Sequence, residues 1–105
     1  MMIYTQSIHV EHDIEKDWLQ WMKEEALPEI AQTHRFSKIV FAKVSSHPDE
    51  TGNTYSIQYY ADDKNSSKDF YQNQLHSIAK SVLTRYGTKA LIFPTELDVL
   101  AIYEK

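Results

Sequence analysis

Residues 36–61, FSKIVFAKVSSHPDETGNTYSIQYYA, decide the fold, because they contain two strand-like runs separated by a single turn. The runs 36–46 and 54–61 are rich in β-branched and aromatic residues, which is typical of strands. The segment 47–53 between them holds Pro, Asp, Gly and Asn, all of which favour turns. The stretch is therefore predicted to be an antiparallel hairpin.

Upstream of the hairpin, the sequence predicts a helix that is capped by Asp13 and ends at about Thr33. His34 at this end can act as a left-handed cap, because histidine tolerates that conformation better than most residues other than glycine. The apolar face of the helix repeats at helical spacing and consists of Ile14, Trp18, Met22, Ala26 and Ile30. Pro28 lies inside this helix, where it lacks an N–H donor and its ring crowds an earlier carbonyl group. We therefore expect a bend in the middle of the helix.

Downstream of the hairpin, a second helix is predicted to begin at Ser66 or Ser67 and to end at Gly87, which readily adopts a left-handed conformation. One apolar stripe follows this helix: Phe70, Tyr71, Leu75, Ile78, Ala79, Val82, Leu83 and Tyr86. The stripe indicates that one side of the helix packs on a sheet.

The chain is predicted to begin and end with strands, at 2–11 and 89–103. The order β-α-β-β-α-β is that of the ferredoxin-like α+β fold, with the first and third strands in the centre of the sheet. Pro94 fits this topology, because proline is tolerated on an edge strand. We expect one ferredoxin-like domain over residues 1–105.

Both helices of such a domain cover the same face of the sheet, so the more apolar side chains are expected on that face. They are Ile8, Val10, Tyr55, Ile57, Tyr59, Leu91 and Phe93. The opposite, polar face is expected to carry Thr5, Ser7, His9, Ser56, Gln58, Tyr60, Glu96 and Asp98. The edge sequence LDVLAIY at 97–103 is apolar and carries few protective charges, so we predict a homodimer that closes over this polar face.

Composition excludes several classes of function. The net charge is −4 and there is no basic cluster, which argues against nucleic acid as a partner. No segment has the length or hydropathy of a membrane span, and the absence of cysteine fits the cytoplasm. Two glycines are too few for a nucleotide-binding loop, and the five histidines lack chelating spacing, so neither a cofactor nor a metal is predicted.

Several motifs along the chain are distinctive: Tyr4, W-L-x-W-M-K-E-E-x-L-P-E at 18–29, YSIQY at 55–59, Tyr86-Gly87 and F-x-T-E-L-D-V at 93–99. Together they resemble an uncharacterised bacterial group, domain-of-unknown-function family 4286. The resemblance implies a dimeric ferredoxin-like α+β barrel but no activity. The chain departs from the family pattern at Ala26, His34 and Pro94, where a histidine, a glycine and an arginine are usual. Chemistry that depended on that histidine or arginine is therefore not implied for this chain.

The candidate ligand-binding residues are His9, Gln58 and Tyr60, with Glu96 in support, because they combine donors, acceptors and titratable groups on one predicted face. Such residues would orient a small polar molecule between two sheets. His9 could act as a general base oriented by a carboxylate on the same face. The alternative is a half-buried strand histidine that is hydrogen-bonded to solvent or backbone. Two functions remain open: a non-enzymatic module that binds a ligand or a protein, and an enzyme like the cofactor-independent monooxygenases and isomerases built on similar barrels.

Overall fold

The structure, a computed structural model, describes residues 1–46, 50–62 and 64–105. Within these ranges, the side chains of residues 64–67, 70 and 75 are not described. The predicted turn at 47–53 therefore lies partly outside the described residues. The stripe positions Phe70 and Leu75 also lie outside them, as far as their side chains are concerned.

Within the described residues, four antiparallel strands form one sheet in the order β2-β3-β1-β4. Their bounds are β1 Met2–Glu11, β2 Lys38–Lys43, β3 Gly52–Ala61 and β4 Ala90–Asp98. The predicted central position of the first and third strands is confirmed. Pro94 lies on the edge strand β4, where its missing N–H leaves the ladder with β1 intact. Because β4 ends at Asp98, the prediction that the strand continues to residue 103 is wrong.

The helices follow β1 and β3 along the chain and cover one face of the sheet. Their bounds are α1 His12–Trp21, a π-helical turn Met22–Ala26, α2 Leu27–Ala31, α3 Lys64–Tyr86 and a 3-10 turn Gly87–Lys89. The element order is β-α-β-β-α-β, which confirms the ferredoxin-like α+β class. No helix in the described part of the chain is long and apolar enough to cross a membrane.

Near Pro28, where a bend is expected from the sequence, the first helix contains a π-helical turn directly before Leu27. Here the N–H of Leu27 donates to the carbonyl oxygen of Met22, five residues earlier. Residues at every fourth position of an α-helix drift by about 40° per step around its axis, and a π turn, which holds more residues, reduces this drift. Four side chains spaced in this way are buried: Trp18, Met22, Ala26 and Ile30. The π turn therefore keeps the apolar face of the first helix directed at the sheet.

The ends of the helices follow local conformational rules, with one exception. Gly87 has a φ of 62° and His34 a φ of 58°, so both adopt the left-handed conformation that the sequence predicts for a helix end. The prediction that Asp13 caps the first helix is wrong, because the helix begins one residue earlier, at His12. The Asp13 carboxylate instead forms an ion pair with Lys89, which joins the start of α1 to the turn before β4.

The pairing of β1 with β4 corrects the predicted faces of the last strand. Val10 lies opposite Ala90 and Ile8 opposite Ile92, and paired residues of neighbouring strands share a face. Ala90 and Ile92 therefore face the helices, and the adjacent Leu91 and Phe93 face away from them. The sequence prediction placed Leu91 and Phe93 on the helix-covered face instead. Such an error corresponds to a shift of one residue along the strand, which moves every side chain to the other face. For β1 and β3 the predicted faces are confirmed, since Ile8, Val10, Tyr55, Ile57 and Tyr59 are all buried.

Candidate functional site

The sheet face that the helices leave uncovered is called here the open face. The pairing of β1 with β3 and β4, and of β3 with β2, determines which residues lie on it. Its central residues are Thr5, Ser7 and His9 of β1 and Thr54, Ser56, Gln58 and Tyr60 of β3. Its margins are Lys38, Val40 and Ala42 of β2, Ile3 of β1, and Leu91, Phe93, Thr95 and Leu97 of β4. The open face thus has a polar centre and one apolar side.

The apolar side is a row of large side chains on β4. Leu91, Phe93 and Leu97 are 45%, 57% and 43% exposed. They occupy alternate positions of an edge strand and point in one direction, with Thr95 between the last two. The chain beyond β4 continues this character, because Leu100, Ile102 and Tyr103 are also exposed. The row is not predicted from the sequence, because the sequence pattern places Leu91 and Phe93 in the core.

His9 is partly buried near one end of the open face, where two threonine hydroxyls lie beside its ring. The Nδ1 atom is 3.4 Å from Oγ1 of Thr54, and the Nε2 atom is 3.3 Å from Oγ1 of Thr51. Both partners are hydroxyls, which can donate or accept, so the contacts suit either tautomer of a neutral imidazole. The strand register places His9 on the open face, as predicted. Glu96 does not orient the His9 ring, because Glu96 lies on the other face of the sheet.

Gln58 and Tyr60 lie on the same face of β3 and are joined directly. The hydroxyl of Tyr60 donates to Oε1 of Gln58 at 2.9 Å, and Nζ of Lys38 lies 4.4 Å from the centre of the Tyr60 ring. Gln58 lies opposite Thr5, four residues from His9 along β1. That separation corresponds to about 13 Å along the strand. The structure therefore brings Gln58 and Tyr60 together and leaves His9 at some distance from both.

Glu96 does not belong to the open face, which corrects the predicted site. It lies opposite Tyr4 of β1, whose side chain is fully buried under the helices. Glu96 itself is exposed at the edge of that helix-covered side. The error has the same origin as the misplaced Leu91 and Phe93, because the whole of β4 was predicted in the opposite phase. The neighbouring open-face positions are taken by Thr95 and Leu97.

The apolar and the charged residues of the first helix lie in different surroundings. Trp18 is fully buried, with its ring 5.0 Å from that of Tyr55 and 5.6 Å from that of Phe41, so the packing interpretation is confirmed. Glu25 and Glu29 of the same helix are exposed to solvent, where their carboxylates remain hydrated. Within the described part of the chain, no cluster of three or more histidine, aspartate or glutamate side chains could hold a metal ion.

A polar cluster that sequence analysis missed lies on the opposite side of the sheet, under the helices. The hydroxyl of Tyr59 donates to Oε1 of the fully buried Gln6 at 2.7 Å. The ring of Tyr4 stacks on that of Tyr71 at 4.1 Å, and the Tyr71 hydroxyl donates to the backbone carbonyl of Thr5. Among the described residues, the Tyr4 hydroxyl and Nε2 of Gln6 have no hydrogen-bond partner. The alternating pattern of β1 contained the signal, because Gln6 falls in phase with Tyr4 and Ile8.

Burial controls the ionisation of these tyrosines. It raises the pKa of Tyr59 and of Tyr71 far above the ordinary value, because a phenolate would lose its hydration there. Burial is also the main reason why the pKa of Tyr4 is raised, with a smaller contribution from the negative charge of Glu96. All three hydroxyls therefore remain protonated at neutral pH and can donate hydrogen bonds.

A second polar cluster joins α1 to the beginning of β3. Oε2 of Glu15 accepts hydrogen bonds from Nδ2 of Asn53, at 2.7 Å, and from the hydroxyl of Tyr55. Its other oxygen lies 3.6 Å from Nδ1 of His12. The Tyr55 hydrogen bond is the largest cause that lowers the pKa of Glu15, while burial raises the pKa of Tyr55. These hydrogen bonds from β3 to the ionised Glu15 carboxylate hold α1 against the sheet, so the cluster has a structural role.

Comparisons with known proteins agree with this fold. No curated protein matches the chain. Among solved structures, the chain is similar to an ethyl tert-butyl ether d (EthD) family protein from Bacillus halodurans, with a TM-score of 0.65. The two share 11% sequence identity over 95% of this chain and 100% of that chain, so the likeness shows the fold alone. The family model described as Domain of unknown function (DUF4286) matches residues 1–100, and the chain therefore belongs to that family.

Proposed function

We propose that residues 1–105 form one domain that acts as a homodimeric, non-enzymatic binding module. In this dimer the open faces of two copies close on each other, and a small polar molecule is held between the two sheets. The proposal includes a location in the bacterial cytoplasm, a reducing compartment that suits a sequence without cysteine.

The exposed row of Leu91, Phe93 and Leu97 carries the proposal. Contiguous apolar side chains on one surface commonly mark an interface. This row lies on an edge strand, where backbone groups are also available for pairing. A second copy is the favoured occupant because a two-fold axis would bring the apolar side of each open face towards the other copy and enclose the polar centre.

The polar centre supports the ligand part of the proposal. Hydroxyls of Thr5 and Ser7, the amide of Gln58 and the phenol of Tyr60 offer both donors and acceptors on one surface. Enclosure by a second sheet would remove bulk water from these groups and leave a polar cavity. Such a cavity, with a few convergent polar groups in an apolar frame, is typical of sites for small molecules.

A pair of glutamate substitutions tests the interface by sedimentation equilibrium. Phe93→Glu places a charge in the proposed interface and should weaken the dimer at least about 100-fold. Leu83→Glu is the matched control, because Leu83 is 62% exposed on α3, a helix on the other side of the sheet. We expect Leu83→Glu to dimerise like the parent protein. Equal association of both variants would contradict an interface at the open face.

Native mass spectrometry of the purified dimer tests the ligand part. The expected species exceeds 24.6 kDa, twice the chain mass of 12.3 kDa, by the mass of the bound molecule. Gln58→Leu keeps the approximate volume of the side chain and removes its amide, so it should release that molecule without dissociating the dimer. A dimer that carries no added mass in either protein would contradict a ligand between the sheets.

A further inference from the structure

A groove between the two helices lies away from the open face and takes no part in the proposed dimer. It lies between α3 and the first helix, which consists of α1, the π turn and α2. Its volume is about 480 Å³, within the range of small-molecule pockets. Because the helices cover the other side of the sheet, this groove stays accessible when two open faces meet.

The two walls of the groove carry opposite charges. Glu25 and Glu29 come from the first helix, and Lys80 and Arg85 come from α3. Among the described residues, neither Glu29 nor Lys80 forms an ion pair within 4.0 Å. Arg85 already interacts electrostatically with Glu25. In the described part of the groove, the charges without an ion-pair partner are therefore Glu29 on one wall and Lys80 on the other, with a cavity of ligand size between them.

The base of the groove is apolar, and its upper part is lined by neutral polar groups. Ala26, Ile30 and Ile78 are buried beneath it. Ser77 and Ser81 add hydroxyls from α3. A bound molecule would therefore meet charge on two opposite sides and an apolar surface below, which fixes its orientation.

The groove is organised before any ligand binds. The guanidinium of Arg85 lies 4.9 Å from the centre of the Trp21 ring, a cation–π contact that holds it at one end. The π turn supplies Glu25, and Glu29 follows four residues later, so both carboxylates lie beside the buried residues Ala26 and Ile30. π turns inside α-helices are frequent at functional sites.

We propose that this groove binds a free α-amino acid in its zwitterionic form. The carboxylate of the ligand pairs with Arg85 and Lys80, and its ammonium group pairs with Glu29 and Glu25. A simple anion would meet the two glutamates, and a simple cation would meet the lysine and arginine. A zwitterion satisfies both walls at once, because each of its charges has a partner of opposite sign.

NMR titration of ¹⁵N-labelled protein with the standard amino acids, one at a time, tests the proposal. At least one amino acid should shift the Trp21 indole N–H and the Ser81 amide, both of which lie at the groove. Its N-acetylated and C-amidated derivatives each lack one charge, so each should bind at least about tenfold more weakly. No shift of these signals by any amino acid up to about 10 mM would overturn the proposal.

Single substitutions test whether the amino acid binds in this groove and whether its binding is independent of the proposed dimer. Glu29→Gln and Lys80→Gln should each weaken binding at least about tenfold. Glu24→Gln is the matched control, because Glu24 is exposed on the same helix but does not line the groove. Phe93→Glu should leave amino-acid binding unchanged, so the groove can be tested even if the proposed dimer fails. Unchanged affinity in both Glu29→Gln and Lys80→Gln would overturn the assignment.

Discussion

At the level of single residues, Glu15 shows how a carboxylate is kept ionised near the core. It accepts hydrogen bonds from Asn53 and Tyr55, and these partners belong to β3 while Glu15 belongs to α1. The Tyr55 hydrogen bond lowers the pKa of Glu15 below its ordinary value of 4.5. A lowered pKa in the folded state adds stability above the unfolded pKa, and this stability is lost as the pH falls through the folded pKa.

Substitution of Tyr55 tests this contribution. Tyr55→Phe removes the hydroxyl, so the free energy of unfolding at pH 7 should fall by about 1–3 kcal/mol. The loss should diminish on acidification, because protonation of Glu15 weakens the same contribution in the parent protein. Chemical denaturation at several pH values measures both effects, with Tyr103→Phe as the control, since Tyr103 is exposed. A loss from Tyr55→Phe that does not change with pH would contradict this account.

At the level of elements, the first helix depends on the π turn and α3 depends on its buried stripe. Ile78 and Val82 of α3 are buried, whereas Leu83 on the same helix is 62% exposed. The helix therefore packs on the sheet along a narrower face than the predicted stripe, which included Leu83. Ile78 also forms part of the base of the inter-helix groove.

Truncation of Ile78 tests the packing of α3. Ile78→Ala removes buried methyl groups and leaves a cavity, so the free energy of unfolding should fall by about 2–5 kcal/mol. Leu83→Ala should change stability by less than about 0.5 kcal/mol, because its side chain is already in water. Chemical denaturation of both variants measures the difference. A loss below about 1 kcal/mol for Ile78→Ala would mean that this face of α3 is not packed.

The elements also show what the sequence could and could not predict. Element order, central strands and left-handed caps at His34 and Gly87 follow from local patterns, and the structure confirms them. The phase of β4 could not be predicted from hydropathy, because Leu91 and Phe93 are more apolar than the buried Ala90. Pairing with β1 decides that phase, and such pairing is a tertiary property. Glu96 was therefore assigned to the wrong face, while His9, Gln58 and Tyr60 lie on the predicted one.

At the level of the whole molecule, the sheet separates two different surfaces. The helix-covered side holds a core rich in tyrosine, in which Tyr59 donates a hydrogen bond to the buried Gln6 and Tyr4 stacks on Tyr71. The open face holds polar side chains beside a row of exposed apolar ones. The first surface is completed within one chain, and the second is the surface that we propose a second chain completes.

The tyrosine core predicts a limit to stability at high pH. Five tyrosines, namely Tyr4, Tyr55, Tyr59, Tyr71 and Tyr86, have a raised pKa, mainly because of burial. Their contribution to stability is fully present below the unfolded pKa of 10.0 and is lost as the pH rises towards the folded values. For the two with large shifts under the helices, Tyr59 and Tyr71, tyrosinate absorbance should therefore develop together with the loss of helical circular dichroism. Their ionisation in a protein that stays folded would contradict this expectation.

Isotope-filtered NMR on a mixture of labelled and unlabelled protein tests most directly whether open faces meet. The filter detects only contacts between protons of two different copies. The account predicts intermolecular contacts from the methyl groups of Leu91 and Leu97 to protons of the open face, and none from the methyl groups of Leu83 on α3. Intermolecular contacts confined to α3, or no intermolecular contact at a concentration where the protein is dimeric, would contradict the proposed dimer. A protein that stays at 12.3 kDa at every concentration used would contradict it as well.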